Sequence, residues 1–255
     1  MLSKPSLPMP SKRDWPLVGW SFLPEACLGL ELLVNEARLG RDESVLDIGC
    51  GLGRMAYVLC YYLSPKARYE GIEPVGRWVR WNKAVLGHRF RNFHFKQLPV
   101  QNPLYNPGGK LKPARVRFPY PDAAFDIAFA MSVFQHNQAV VARHYLSEIA
   151  RVLRPGGRCL ITCFLLDAKP PSGAPKKGSM LFPYPVEDGW TMNRDLPEAG
   201  IVFLERDFRC WAAEQGLVVH SKWDGSWRGR GLAKLYQDMV ILKKRDAARS
   251  SSRVL

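Results

Sequence analysis

The run Val45-Leu46-Asp47-Ile48-Gly49-Cys50-Gly51-Leu52-Gly53 decides the fold class. A short apolar segment carries one acid, meets a glycine turn and continues into the helix-like stretch 54–63. Such a turn lets the backbone touch a nucleotide-type ligand where a helix begins. A dinucleotide site would hold a pyrophosphate there on helix N–H groups. The negative charge of Asp47, two residues before the first glycine, would repel that pyrophosphate and suits a ligand with cationic groups instead. The spacing differs as well: Gly49, Gly51 and Gly53 read G-x-G-x-G, and Arg54 stands where the dinucleotide fingerprint runs on to a later glycine. Taken alone, the run also fits an ordinary strand-to-helix turn.

Outward from this run, strand-like and helix-like segments alternate, the pattern of a parallel sheet flanked by helices. Strand 45–48 is followed by helix 54–63, which Ser64-Pro65 stops. Strand 69–72 ends at Glu73-Pro74 and leads into helix 76–86, with a third strand at 93–97. A loop rich in Pro, Asn and Gly covers 99–121. Strand 125–131 is almost continuously apolar, as expected of a strand buried on both faces. Ala142, Tyr145, Leu146, Ile149, Val152 and Leu153 recur at helical spacing, and Pro155-Gly156-Gly157 ends that helix before strand 159–165.

Periodicity fails from 167 to 201, which reads as an insertion forming part of an acceptor pocket or lid. Helix 205–215, strand 218–220 and a closing strand 239–242 follow. The domain expected from these elements is 41–242, preceded by a cap segment 1–40 with a helix near 25–37 and followed by a basic, disordered tail 243–255.

At 255 residues with 47% hydrophobic content, the chain can bury a full core as one domain with an insertion. No apolar stretch is long enough to span a bilayer. Residues 1–16 are basic and proline-rich without the apolar core of a secretory signal, so the expected location is cytoplasmic. Six cysteines form no C-x-x-C pair and read as core thiols, and five histidines show no metal-ligand spacing, so no metal is expected. The net charge of +14 is unevenly placed. No acid lies between Glu73 and Asp122, a window that holds Arg77, Arg80, Lys83, Arg89, Arg91, Lys96, Lys110, Lys112, Arg115 and Arg117. Such a field attracts polyanions or anionic surfaces, although a merely basic surface accounts for it slightly better than a dedicated nucleic-acid site.

Glu73, at the end of the second strand, can accept hydrogen bonds from both hydroxyls of a ribose. Pro74 and Val75 follow it as apolar surface for an adenine, and Gln97, ending the third strand, is placed to read the adenine amino group. Four segments in order then carry a resemblance: 45–53, strand 69–74 with its terminal acid, F-P-Y-P-D-A-A-F-D-I-A-F-A-M at 118–131, and A-R-V-L-R-P-G-G at 150–157. Together they resemble the successive motifs of class I S-adenosylmethionine-dependent methyltransferases over about 41–242. The resemblance implies an α/β, Rossmann-like, doubly wound sheet of seven strands with the last antiparallel. It implies S-adenosylmethionine as cofactor, held at Asp47, Gly49, Gly51, Gly53 and Glu73 and near Met131 and Ser132. Gln97 departs from the pattern, since many relatives place an acid there.

His136 follows the fourth strand, where the crevice of a doubly wound sheet faces the reacting group. An imidazole there can remove a proton from an acceptor hydroxyl, or it can shape the pocket or cap the next helix. Trp78 and Trp81, interleaved with Arg77 and Arg80, read either as a stacking face for RNA or as core aromatics. Asn106-Pro107, Trp190 and Gly225-Ser226-Trp227-Arg228 are acceptor-pocket candidates. The leading functional expectation is O-methylation of a small-molecule acceptor: a sugar, glycolipid or secondary metabolite, with an anionic one favoured by the basic window. The alternatives are an RNA or protein methyltransferase and a non-catalytic binding protein of the same fold. A nicotinamide oxidoreductase is disfavoured by Asp47.

Overall fold

The computed structural model describes residues 7–11, 21–169, 180–229, 233 and 235–246. Strand β1 (Ser44–Ile48) packs Val45 into one buried cluster and Leu46 and Ile48 into another. That period-two division is what a strand covered on both faces requires. Before it, helix α1 (Phe22–Asn35) buries Phe22, Ala26, Gly29 and Leu33 at helical spacing and rests on α2 (Arg54–Tyr62). A Cβ at Gly29 would lie 2.6 Å from the Met55 sulfur, so glycine lets the two helices close on each other.

Strand β2 (Arg68–Glu73), helix α3 (Gly76–Asn82) with its π-helical extension Lys83–Gly87, and strand β3 (Phe93–Gln97) match the sequence reading closely. Strand β4 (Phe125–Ala130) sends Ile127 and Phe129 to one cluster and Ala128 and Ala130 to the other. Helix α4 (Ala139–Val152) gives way directly to β5 (Leu153–Leu166). It stops earlier than the Pro-Gly-Gly signal suggests because Leu153 is already extended, at φ −74° and ψ 141°. Pro155 also disfavours helical geometry at the residue before it.

The chain continues through β6 (Tyr184–Val186), β7 (Gly189–Thr191), β8 (Ile201–Leu204), α5 (Glu205–Glu214), β9 (Leu217–Trp223) and β10 (Asp238–Lys244). Strands β3-β2-β1-β4-β5 are parallel neighbours, and β10 lies antiparallel between β5 and β9. The expected seven-stranded sheet with a reversed last strand is therefore present.

The sheet is larger than expected, however, because the insertion is not simply a loop. β8 runs parallel to the far end of β5, pairing Phe164–Leu166 with Val202–Leu204, and β7 and β6 extend it. These strands bury a separate small core of Phe164, Phe182, Val202 and Trp227. Residues 170–179 of the insertion lie outside the described residues. At the C-terminus, β10 carries the fold two residues beyond 242: Lys243 and Lys244 pair with Val218 and Leu217. Of the remaining expected tail, 247–255 lies outside the described residues. Among the described residues no helix is long and apolar enough to cross a membrane.

Candidate active site

A cavity of about 340 Å³ opens where β1, β2 and β4 end, the place where doubly wound sheets bind ligands. Its floor is the glycine turn. Gly49 sits at φ +74°, and a Cβ there would lie 2.6 Å from Cγ2 of Val133, so both backbone conformation and space demand glycine. Gly53 caps α2 at φ +73°, with Asn82 Oδ1 2.5 Å from where its Cβ would be. Asn82 in turn donates to the Gly51 carbonyl at 2.8 Å, tying the turn to α3.

Two carboxyls border this turn and both are buried, Asp47 at 3% exposure and Glu73 at 4%. Asp47 accepts a hydrogen bond from the Tyr69 hydroxyl at 2.5 Å. Glu73 accepts from the backbone N–H groups of Gly51 at 2.9 Å and Val75 at 3.0 Å. Burial pushes each carboxyl up to about 7. For Asp47 the Tyr69 hydrogen bond opposes that rise and the Glu73 charge adds to it; for Glu73 the two backbone donors oppose it. Among the described residues Arg54 is the one Lys or Arg lining the cavity, and it is ion-paired with Glu25 of α1. The two carboxyls, as acceptors, therefore fit a ligand that carries positive charge and hydroxyls.

Asp47, Gly49, Gly51, Glu73, Pro74, Met131, Ser132 and His136 all line the cavity. Gly53 does not; it fixes the turn. Gln97 does not line the cavity. β3 is the outermost strand of its side of the sheet, Gln97 is exposed there, and its amide donates to the Pro74 carbonyl at 3.2 Å. Its neighbour Leu98 is buried and lines the cavity in its place. Ser132 adopts φ +58°, an uncommon conformation for a residue with a side chain. Its N–H donates to Thr162 Oγ1 at 2.8 Å and its hydroxyl to Gln237 Oε1 at 2.9 Å, so β5 and the residue just before β10 hold it there.

His136 is held from three sides. Its Nδ1 lies 2.8 Å from the Glu198 carbonyl, which only an N–H can satisfy, so the neutral ring keeps its lone pair on Nε2. That Nε2 lies 3.1 Å from the Tyr105 hydroxyl and 3.1 Å from the Gln135 amide nitrogen. Burial pushes the imidazole below its ordinary range and so favours the neutral form, an effect partly offset by the Glu198 hydrogen bond. Asn102 fastens the arrangement: its amide donates to the His136 carbonyl at 2.9 Å while its oxygen accepts from the N–H groups of Leu104 and Tyr105.

Tyr105 and Asn102 escaped the sequence reading, although Asn106, next in the chain, was a candidate. Asn106 donates instead to the Val100 carbonyl and shapes the loop. Trp78 is a buried residue of the cavity wall, and Trp81 packs against the core beside it. Trp190 and Trp227 do not line the cavity; both belong to the small core of the insertion. No described residue of 180–201 lines the cavity, yet Glu198 of that segment orients His136 through its carbonyl. In the acid-free window all the bases are exposed except Lys96, which is half-buried beside Glu70 and over the Tyr120 ring.

A family profile described as a methyltransferase domain matches residues 20–244. The chain belongs to the methyltransferase-domain family. Among its relatives, the O-methyltransferase resE of Aspergillus sclerotiorum is 29% identical over 173 residues, covering 64% of this chain and 56% of that protein. The tRNA U34 carboxymethyltransferase of Cellvibrio japonicus is 32% identical over 130 residues, 51% of this chain and 35% of that one. The chain thus spans about half the length, or less, of these curated relatives. Among solved structures, geranyl diphosphate C-methyltransferase of Streptomyces coelicolor, in complex with Mg2+, geranyl diphosphate and S-adenosyl-L-homocysteine, superposes with a TM-score of 0.56. It is 16% identical, over 93% of this chain and 85% of that one, and shows that the methyltransferase domain shares its fold.

Proposed function

We propose that this protein transfers a methyl group from S-adenosylmethionine to a hydroxyl oxygen of a small molecule, such as a sugar, glycolipid or secondary metabolite. The observation that carries the reading is one cavity bordered by two buried carboxyls at a glycine turn and by an imidazole with its lone pair on Nε2. Membership of the methyltransferase-domain family and likeness to O-methyltransferases support it.

In this reading Asp47 faces the cationic end of the cofactor, Glu73 accepts from its ribose hydroxyls, and Pro74 and Leu98 border its adenine. When bound, the cofactor supplies an electrophilic methyl group on a sulfonium. The protein's work is then alignment, exclusion of water and removal of one proton. The apolar walls of Leu98, Val100, Phe118 and Val133 exclude water. His136, neutral through burial, takes up the proton that the acceptor loses.

The test is transfer of tritiated methyl into fractionated extract. The expected result is a labelled small molecule and a rate about 100-fold lower for His136→Ala. Near-full rate in that variant would remove His136 from the chemistry.

A second reading, methylation of RNA, rests on the exposed bases of 77–117 beside the cavity wall and on the likeness to tRNA carboxymethyltransferases. It requires that charge reversal at Arg77, Arg80 and Arg115 weaken salt-sensitive retention on heparin. A non-catalytic role requires that calorimetry give no heat with millimolar S-adenosylmethionine.

A further inference from the structure

The Nε2 of His136 does not stand open to an incoming hydroxyl. Two groups that can donate, the Tyr105 hydroxyl and the Gln135 amide, lie 3.1 Å from it, and the ring's other nitrogen is committed to the Glu198 carbonyl. A neutral imidazole has one lone pair, and here both neighbours compete for it. The Tyr105 oxygen, in contrast, keeps lone pairs after donating, and Tyr105 itself lines the cavity. Its ring meets the imidazole edge to face at 5.1 Å, and Asn102 pins its backbone N–H at 3.1 Å, so the pair is held together from both sides.

We propose that Tyr105 is the group that touches the acceptor, relaying its proton to His136. The proposal rests on the hydroxyl-methylation reading above and assigns that site its contacting atom. The acceptor hydroxyl donates to Tyr105 Oη while the Tyr105 proton passes to His136 Nε2. The acceptor O–H bond breaks as the oxygen lone pair forms a bond to the methyl carbon, and the carbon–sulfur pair remains on sulfur as a thioether. Tyr105 ends neutral with the acceptor's proton, His136 ends as an imidazolium, and its extra proton later leaves to water. Burial, with the Glu73 charge adding to it, holds the Tyr105 hydroxyl up at about 12, so free tyrosinate is scarce and the imidazole must share the proton. The imidazolium is still satisfied, since Nδ1–H keeps the Glu198 carbonyl and Nε2–H gains the tyrosine oxygen.

The relay and direct attack by His136 predict opposite signs for one substitution. Tyr105→Phe keeps the ring and removes one of the two groups that compete for Nε2, leaving the Gln135 amide. If His136 acted directly, that variant would hold or raise its turnover. In the relay, turnover on the acceptor isolated from the labelled fraction falls at least about 10-fold, with the cofactor's dissociation constant unchanged. His136→Gln combined with Tyr105→Phe is then no slower than His136→Gln alone.

A second readout needs no turnover. In 15N-histidine NMR of the cofactor-free protein, His136, identified among five histidines by its loss in His136→Gln, shows the Nδ1–H tautomer. Its Nε2 resonance shifts on Tyr105→Phe. Retained turnover in Tyr105→Phe, additive losses in the double variant or an unmoved Nε2 resonance would each overturn the relay. Wild-type protein that binds the cofactor but labels no acceptor would defeat the hydroxyl-methylation reading and the relay with it. Labelling that persists in Tyr105→Phe would defeat the relay alone.

Discussion

The two ends of the cavity are built in opposite ways. At the cofactor end, Asp47, the glycine turn and Glu73 come from one strand-turn-helix-strand stretch, and Gly51 hydrogen-bonds Glu73 across 22 residues of chain. At the acceptor end, Tyr105 reaches His136 across 31 residues and Glu198 reaches it across 62, from a long loop and from an insertion. The first end depends on backbone conformation that few sequences can adopt. The second depends on side chains brought together only by the finished fold.

The difference is sharpest for substitutions at glycine. Gly49→Val places a β-branched side chain at φ +74° with Val133 2.6 Å from its Cβ, and the turn must shift. The expected loss in cofactor affinity exceeds about 100-fold, equivalent to about 3 kcal/mol. Calorimetry checks it, with circular dichroism confirming that the variant folds. Gly216→Ala is the contrast: its φ is +73°, but no atom lies within 4 Å of the added Cβ. It should cost about 1 kcal/mol of stability and leave cofactor binding unchanged. Equal effects at the two glycines would erase the distinction between a ligand-shaped turn and an ordinary helix end.

A smaller effect separates the two ends by pH. Asp47 and Glu73 stand near 7 in the folded protein, above their unfolded values near 4. The folded chain therefore holds protons that the unfolded chain has lost. Ligand-free stability falls as pH rises from about 4 to about 7, then levels off. A cationic cofactor favours the ionised carboxyls, so its affinity rises across the upper part of that window. Thermal melts with and without S-adenosylmethionine at stepped pH measure both slopes. Asp47→Asn should flatten each. An affinity independent of pH would mean that the carboxyls are already ionised, or that they do not face the cation.

This contrast also explains what the sequence reveals. The glycine turn is legible because each of its glycines answers a local backbone demand, as at Gly49 and Gly53. Glu73 is legible because a strand end fixes where it stands. Gln97, by contrast, does not line the cavity. It also ends a strand, but an outermost one, and edge position is a property of sheet order rather than of local pattern. Tyr105 is invisible because nothing within 99–121 records that His136 will lie beside it. Trp190 and Trp227, read as pocket aromatics, stand away from the cavity because Trp227 joins Phe164, Phe182 and Val202 in a small core and Trp190 packs against it.

The least effect on cofactor binding should come from that small core, and it tests how far the two regions are independent. Asp238 is 0% exposed at the start of β10 and accepts from Leu165 N–H at 2.8 Å, Gly225 N–H at 2.8 Å and Trp227 Nε1 at 2.9 Å. Trp227→Phe keeps an aromatic ring against Phe164 and Phe182 but withdraws one of three donors from a buried carboxyl. The cost is about 1–2 kcal/mol, the penalty for leaving one buried hydrogen bond unmade. Denaturant unfolding measures it, and cofactor affinity should not move, because neither residue lines the cavity. One link could defeat that separation: Gln237, one residue before Asp238, accepts from both Ser132 and Thr162. If loosening Asp238 also weakened cofactor binding, the strain would have travelled through Gln237 to the left-handed Ser132. The small core would then belong to the binding site mechanically although neither Trp227 nor Asp238 lines the cavity.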